Sequence, residues 1–412
     1  MRVAHFVQRY PPAPGGSEAY FARLSRHLAA AGDSVSVFTT TAVDLEAFWQ
    51  PNARRVPAGV SHEDGVEVRR HDPAFRVRGR RYLLKALSLV PVRRWQLLTM
   101  PCNPLAPALW REAGRTDMRF DVVHATAFPY GWVLASALRL ARRLGVPFVV
   151  TPFLHLGDPD DPRDRTRRAY LSPALTSVLA AASRVFVQTD VERDALLRHG
   201  VAAEKLVLQG MGVDPAECTG GDRGRARAAW GAGPGECVVG HLANNSVEKG
   251  TVDLLRAAEL AWRGGCRFRL VLAGPEMANF RAFWEGYEAK DRVIRLGPLD
   301  DGQKRDFFAG IDAFAMPSRS DSFGLVFLEA WANGAPSVAY CAGGVPGVIR
   351  HDRDGLLVRC GDLYRLAAAL RRLTDDDALR TRLGGEGRAR LPGEFRWEDK
   401  LDLVRRVYRQ LA

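Results

Sequence analysis

Short runs of β-branched and aromatic residues alternate with longer amphipathic stretches along nearly the whole chain. VAHFV (3–7) precedes SEAYFARLSRHLAAAG and then SVSVFTT, and the order repeats in DVVHAT, VLASALRLARRLG and PFVVTPF. Polar or Gly-rich turns separate these segments. Strand, turn and amphipathic helix in that rhythm build parallel sheets covered by helices, so the chain is predicted to be α/β. The rhythm restarts in the second half with VVGHLA, TVDLLRAAELAWRGG, FRLVLAGP, VIRLG, KRDFFAGID, AFAMPS, FGLVFLEAWANG and PSVAY. The stretch 210–236 between the halves is rich in Gly, Pro and charge, and its first part reads as an interdomain linker. A chain of 412 residues exceeds what one core usually serves. Two α/β units joined at that linker leave a cleft at the C-terminal ends of their strands, where such sheets bind ligands. The final segment, EFRWEDKLDLVRRVYRQLA, has a helical pattern with Leu401, Val404, Val407 and Leu411 on one face.

Composition then narrows the functional classes. With 47% apolar and 26% charged residues, and no apolar run near about 18 residues, the pattern is that of a globular protein rather than a membrane-spanning one. The start, MRVAHFVQRYPPAPGG, lacks the charged and apolar regions of a signal peptide, so a cytoplasmic protein is expected. Six scattered cysteines without a C-x-x-C pair signal neither a disulfide framework nor a zinc site. The net charge of +12 points to an anionic partner: a phosphorylated metabolite, nucleic acid or an anionic membrane surface. No nucleic-acid recognition motif accompanies it, and no nucleic-acid partner is expected. Only six of the 59 basic residues are Lys, which makes each Lys more informative, Lys249 above all.

Three glycine-rich turns follow predicted strands. In YPPAPGGSEAYFARL, Gly15 and Gly16 let the backbone approach a ligand, and Ser17-Glu18 reads as an N-cap and an acid of the first helical turn. In GHLANNSVEKG, Lys249 sits near a helix start, where a cation is unfavourable unless an anion lies between the two. The third turn, YCAGGVPGVI, is read as opening another helix. Each turn also has a plain structural reading, as a flexible βα connection or a solvated loop Lys. Together they imply a phosphate bound in the cleft. A stronger signal is PSRSDSFGLVFLEAWANG, where FGLVFLEAWANG reads as a helix closed by Gly334 with Asp321 in the loop before it. That helix is apolar almost all round and Glu329 is its only charge, so the carboxylate needs a partner, either an Arg of the core or ligand hydroxyls. Eight helical residues from 321 to 329 would span roughly 12 Å, comparable to a sugar, diphosphate and ribose in a row.

In these blocks, with GVD at 212–214, EKG at 248–250, LAGP at 272–275 and DGLLV at 354–358, the chain resembles the retaining, nucleotide-sugar-dependent glycosyltransferases of family 4. The resemblance implies a GT-B fold: two Rossmann-like domains whose parallel sheets face each other across a cleft. Residues 1–212 would bind the acceptor and 213–394 the nucleotide sugar, with the helix at 395–412 packing back on the first. It implies that Glu329 binds the ribose hydroxyls, that Asp321 contacts the donor sugar, and that Lys249 holds the diphosphate with the backbone of Phe323, Gly324, Leu325 and Val326. Gly15 and Gly16 would lie across the cleft, His155 near the transferred sugar, and Gly297-Pro298 against the base. Three positions depart from the family pattern: Asp321 replaces a Glu, His241 replaces an Arg expected near the diphosphate, and Met211 replaces an Asn.

The expected activity is metal-independent transfer of a hexose, with retention, to a hydroxyl of a glycan, lipid-linked or small-molecule acceptor, with no cofactor beyond the nucleotide-diphosphate sugar. The alternative is a non-catalytic nucleotide-sugar or glycan binder. The segment 76–98 mixes Arg and Lys with Leu, Val, Tyr and Trp, and is a candidate contact with the inner, anionic face of a membrane or else an ordinary solvated helix pair.

Overall fold

The computed structural model of the protein describes residues 1–74, 79–126 and 128–412. Its strands are β1 (Arg2–Phe6), β2 (Ser34–Thr40), β3 (Gly59–Glu63), β4 (Val66–His71), β5 (Val122–Ala125), β6 (Phe148–Val150), β7 (Arg184–Val187) and β8 (Leu206–Leu208) in the first half. The second half contributes β9 (Cys237–Leu242), β10 (Phe268–Ala273), β11 (Val293–Gly297), β12 (Ala313–Met316), β13 (Ser337–Tyr340) and β14 (Gly355–Val358). The first set forms an eight-stranded sheet in the order β3-β4-β2-β1-β5-β6-β7-β8, and the second a six-stranded sheet in the order β11-β10-β9-β12-β13-β14. Every described pairing between these strands is parallel except the β3/β4 hairpin at one edge. Buried strands such as Phe148–Val150 and Ala313–Met316 are apolar throughout, as strands covered by helices on both faces must be.

One apolar cluster lies wholly in the first half and another wholly in the second, and a third runs through both. The third reaches from Val3 and Tyr20 through Met211, Val213 and Trp397 to Phe323 and Trp331. The crossing at Val213 is reinforced by the returning chain, because the Val213 N–H donates to the Phe395 carbonyl at 2.8 Å. Gly212 is required there: a Cβ would stand 2.7 Å from the Trp397 nitrogen. Beyond this point the helix Trp397–Leu411 packs on the first half. Arg405 bonds Asp33 at 2.7 Å, His27 bonds Asp402 at 2.9 Å, and the buried Tyr408 hydroxyl meets His124 Nδ1 and, at 3.3 Å, His5 Nε2.

Of the basic segment, residues 76–78 lie outside the described residues. The remainder forms two short helices, Arg80–Leu87 and Arg93–Leu98. Arg80 is buried and its guanidinium donates to the carbonyls of Phe48, Ala74 and Asn103, which roots the pair in the sheet's helical layer. Tyr82 and Leu89 are 83% and 78% exposed. Among the described residues no helix is long and apolar enough to cross a membrane.

Candidate active site

Lys249 stands in the turn between β9 and the helix Thr251–Arg263. Gly250 adopts φ +73°, and a Cβ on it would be 1.8 Å from the Pro317 carbonyl oxygen, so only Gly lets this turn lie against the loop after β12. That contact sets Lys249 Nζ 2.6 Å from Asp321 Oδ2. The cation at the helix start thus faces an anion, which is the Asp321 carboxylate. Asp321 Oδ1 accepts the Phe323 N–H at 3.4 Å, so the short side chain is folded back on its own loop. Burial pushes the Asp321 carboxyl up, but Lys249 and His155 beside it outweigh burial and hold it below the ordinary carboxylate range. The chain then passes Gly324, at φ +87°, into the helix Leu325–Ala332, whose N-terminus no side chain caps. Its first amides point into the cleft as a positive end.

His241 departs from expectation. It is fully buried, its Nδ1–H donates to the Ala315 carbonyl at 2.7 Å, and its Nε2 accepts from the Thr251 hydroxyl at 2.9 Å. Burial lowers its pKa to about 4, so the ring is neutral and both nitrogens are used within the fold. It braces the Lys249 turn from below instead of facing a ligand. The third glycine turn also differs, forming only the short 3-10 turn Val345–Gly347. Its amides are spent within the fold: the Gly343 N–H crosses to the first half and donates to the Gly157 carbonyl at 2.8 Å, and the Gly344 N–H donates to the Asp321 carbonyl of its own half at 2.7 Å. Gly297 ends β11 at the sheet edge and Pro298 follows it. They line neither of the two cavities described below, and the Gly297 carbonyl accepts the Gly274 N–H at 2.7 Å.

Across the cleft, Gly15 rather than Ser17 caps the helix Gly16–Ala30. Ser17 instead donates to Glu18 Oε2 at 2.7 Å. Glu18 curls back so far that a Cβ on Gly15 would sit 2.2 Å from its Oε2. Its other oxygen accepts from Arg9 Nε at 2.8 Å and Gln8 Nε2 at 3.0 Å. Gly16 has open space where a side chain would be. His155 lies in the loop after β6 and donates from Nδ1 to the Ser320 carbonyl at 3.3 Å. Burial, then Lys249, lower its pKa against the pull of Asp321, so Nε2 is left as an acceptor.

These groups line a cavity of about 360 Å³ between the two sheets, which gathers Gly16, His155, Lys249, Asp321 and Phe323 to Val326. An adjoining cavity of about 750 Å³ holds Gly15 and Glu329, and Leu325 borders both. Glu329 Oε1 accepts from Lys304 Nζ at 2.6 Å, while Oε2 is buried without a partner among the described residues. Sequence reasoning missed Lys304, which comes from a different helix, and the aromatic wall of Phe128, Tyr130 and Tyr170. It also missed Arg9, although a lone charge three residues after β1 was a usable signal.

The family models for "Glycosyl transferases group 1" and "Glycosyl transferase 4-like domain" match residues 222–390 and 15–212. The D-inositol 3-phosphate glycosyltransferase of Actinosynnema mirum is 31% identical over 388 residues, covering 89% of this chain and 88% of that protein. The enzyme of the same description from Saccharomonospora viridis is 31% identical over 422 residues, covering 96% and 89%. Among solved structures, sucrose-phosphate synthase from Thermosynechococcus elongatus superposes with a TM-score of 0.74 at 23% identity over 100% of this chain and 98% of that one. Anabaena HepE in complex with UDP-glucose gives 0.70 at 20% identity over the full length of both. With these matches spanning both halves and the two-sheet cleft between them, the chain belongs to the group 1 glycosyltransferases and has their GT-B architecture.

Proposed function

We propose that this glycosyltransferase transfers a hexose from a nucleoside-diphosphate sugar to a hydroxyl acceptor with retention, and without a metal. One observation carries the reading. A single helix, uncapped among the described residues, has the Lys249–Asp321 pair at its N-terminus and, inside it, a Glu329 whose Oε2 is buried without a partner among them. Ribose hydroxyls would satisfy that oxygen, and the diphosphate would sit at the helix N-terminus beside Lys249. An ammonium group has three donors, so Lys249 can hold Asp321 and a phosphate oxygen together. Charge developing on the leaving diphosphate then meets fixed positive groups that need no rearrangement. His155 offers Nε2 to a hydroxyl of the transferred sugar, and Asp321 reaches the sugar only after leaving the Phe323 amide. The acceptor hydroxyl attacks from the face the diphosphate leaves, and the diphosphate takes its proton. The HepE structure with UDP-glucose supports a uridine nucleotide as the first donor to try.

The test is thermal stability of the full chain with UDP, GDP, ADP and their glucose esters. At a hundredfold excess over Kd a true donor adds about 2.7 kcal/mol, and Glu329→Ala is expected to abolish that shift. No shift with any of them would overturn the donor site, and a shift without transfer to any acceptor would favour the non-catalytic binder.

We further propose that the acceptor lies at a membrane. Exposed Tyr82, Leu83, Leu89, Val90 and Trp95 lie among Arg81, Lys85, Arg93 and Arg94, and no Asp or Glu occurs between Asp72 and Glu112. Such a surface suits anionic lipid and a lipid-linked acceptor on the cytoplasmic side. Co-sedimentation with vesicles that is the same with and without anionic lipid would remove this part of the proposal.

A further inference from the structure

Glu192 is fully buried in the first turn of the helix Asp190–Arg198 and has no paired cation among the described residues. Thr189 and Glu192 have the spacing of a capping box, in which the Glu side chain returns to the N-cap amide. The first half of that box is present, since Thr189 Oγ1 accepts the Glu192 N–H at 3.1 Å. The second half is diverted. Glu192 Oε2 accepts the Gln188 N–H at 2.6 Å, and Oε1 reaches out of the helix to the Leu154 N–H at 2.9 Å. Capping alone does not require that second contact, and an unpaired buried carboxylate is costly.

The residue before Leu154 accounts for the contact. Phe153 adopts φ +51°, a left-handed conformation that a bulky side chain holds only when its surroundings enforce it. This twist sends the following segment into the cleft. There His155 Nδ1–H bonds the Ser320 carbonyl at 3.3 Å, the Gly157 N–H bonds Ser320 Oγ at 3.2 Å, and the Gly157 carbonyl receives the Gly343 N–H at 2.8 Å. One loop of the N-terminal half thus lies directly on the Asp321 loop of the other. We infer that Glu192 is a positioning residue for sugar transfer, its carboxylate clamping the twisted segment that carries His155 so that the imidazole is held beside Asp321. Its kinetic consequence rests on the donor-site reading above; its structural consequence does not.

Glu192→Gln tests it, because an amide of the same shape presents one acceptor oxygen and an NH2 that only donates, and cannot accept from both backbone groups. Hydrogen exchange of the full chain should quicken roughly tenfold at the Leu154 or the Gln188 amide, whichever loses its acceptor, while the rest keeps its protection. With a working donor, kcat should fall roughly tenfold or more, with donor KM and the nucleotide-induced thermal shift within about twofold of wild type. Glu192→Asp, charged but a methylene short, should behave in the same way. Unchanged exchange at both Leu154 and Gln188 would overturn the clamp. So would a global loss of protection, which would make Glu192 an ordinary core residue, or a rise in KM at constant kcat. If the wild type transfers no sugar from any nucleoside diphosphate, the donor-site reading falls and the exchange result alone decides the clamp.

Discussion

Replacing Lys249 by Met keeps the bulk of the side-chain stem and removes the cation bonded to Asp321 at 2.6 Å. The two side chains are 28% and 13% exposed, so the pair is shielded but not dry. Charge centres about 4 Å apart at an effective dielectric of about 20 attract by about 4 kcal/mol before desolvation is subtracted. Discounted for the exposed Lys, stranding Asp321 should cost about 1–3 kcal/mol. At about 2–4 °C per kcal/mol that is a drop of roughly 2–12 °C in Tm. Turnover should suffer more, by about 10²–10³, because a fixed positive group at the leaving diphosphate is lost. The combination Lys249→Met with Asp321→Asn separates the two effects. With no stranded charge, stability should return to within about 1 kcal/mol of wild type, while turnover stays low. Scanning calorimetry and nucleotide release at saturating donor measure the two quantities. If the double variant regains turnover along with stability, Lys249 is merely the counterion of Asp321 and the diphosphate assignment is wrong.

Glu329→Gln should raise donor KM by about tenfold or more with a smaller effect on kcat, as expected where binding to a non-reacting part of the substrate is lost; an unchanged KM would place the ribose elsewhere. Glu192 gives a pH dependence of two opposite signs. Burial raises its pKa from 4.5 to about 7, only partly offset by the bonds from Gln188 and Leu154. The folded-state value lies above the unfolded one, so its contribution to stability is present below about pH 4.5 and lost as pH rises through about 7, up to about 3 kcal/mol. The Tm deficit of Glu192→Gln should therefore be larger at pH 5 than at pH 8. The clamp needs the ionised form, so wild-type kcat should rise through pH 7, and that rise should be absent in the Gln variant.

The fold was legible because strand and helix periods do not depend on the partner an element finds, and the parallel sheets follow from apolar strands alternating with helices. Glu329 was legible for a related reason: a lone acid in LVFLEAWA needs a partner wherever the helix packs. His241 was misleading because a strand residue does not announce what lies behind it. Here that is the Thr251 hydroxyl and the Ala315 carbonyl, which convert a potential ligand group into a brace. Ser17 looked like a cap, but Glu18 drew its hydroxyl away. Lys304 and Glu192 escaped notice for a common cause: each acts on a group brought near by tertiary packing, Glu329 in one case and the Leu154 amide in the other.

The return of the last helix to the first sheet also sets an order of assembly. During synthesis, the sheet begun by Arg2–Phe6 is complete in hydrogen bonds once Leu208 has emerged, yet His5 and His124 still lack the Tyr408 hydroxyl that joins them. Some two hundred residues, the whole second sheet among them, leave the ribosome before that group arrives. Until then the nascent N-terminal half carries an open apolar face where Val404 and Val407 will settle. The first half gains its last wall only after the second sheet has been made. Cutting the gene at the linker therefore divides the domains on paper but leaves the earlier one without its final wall.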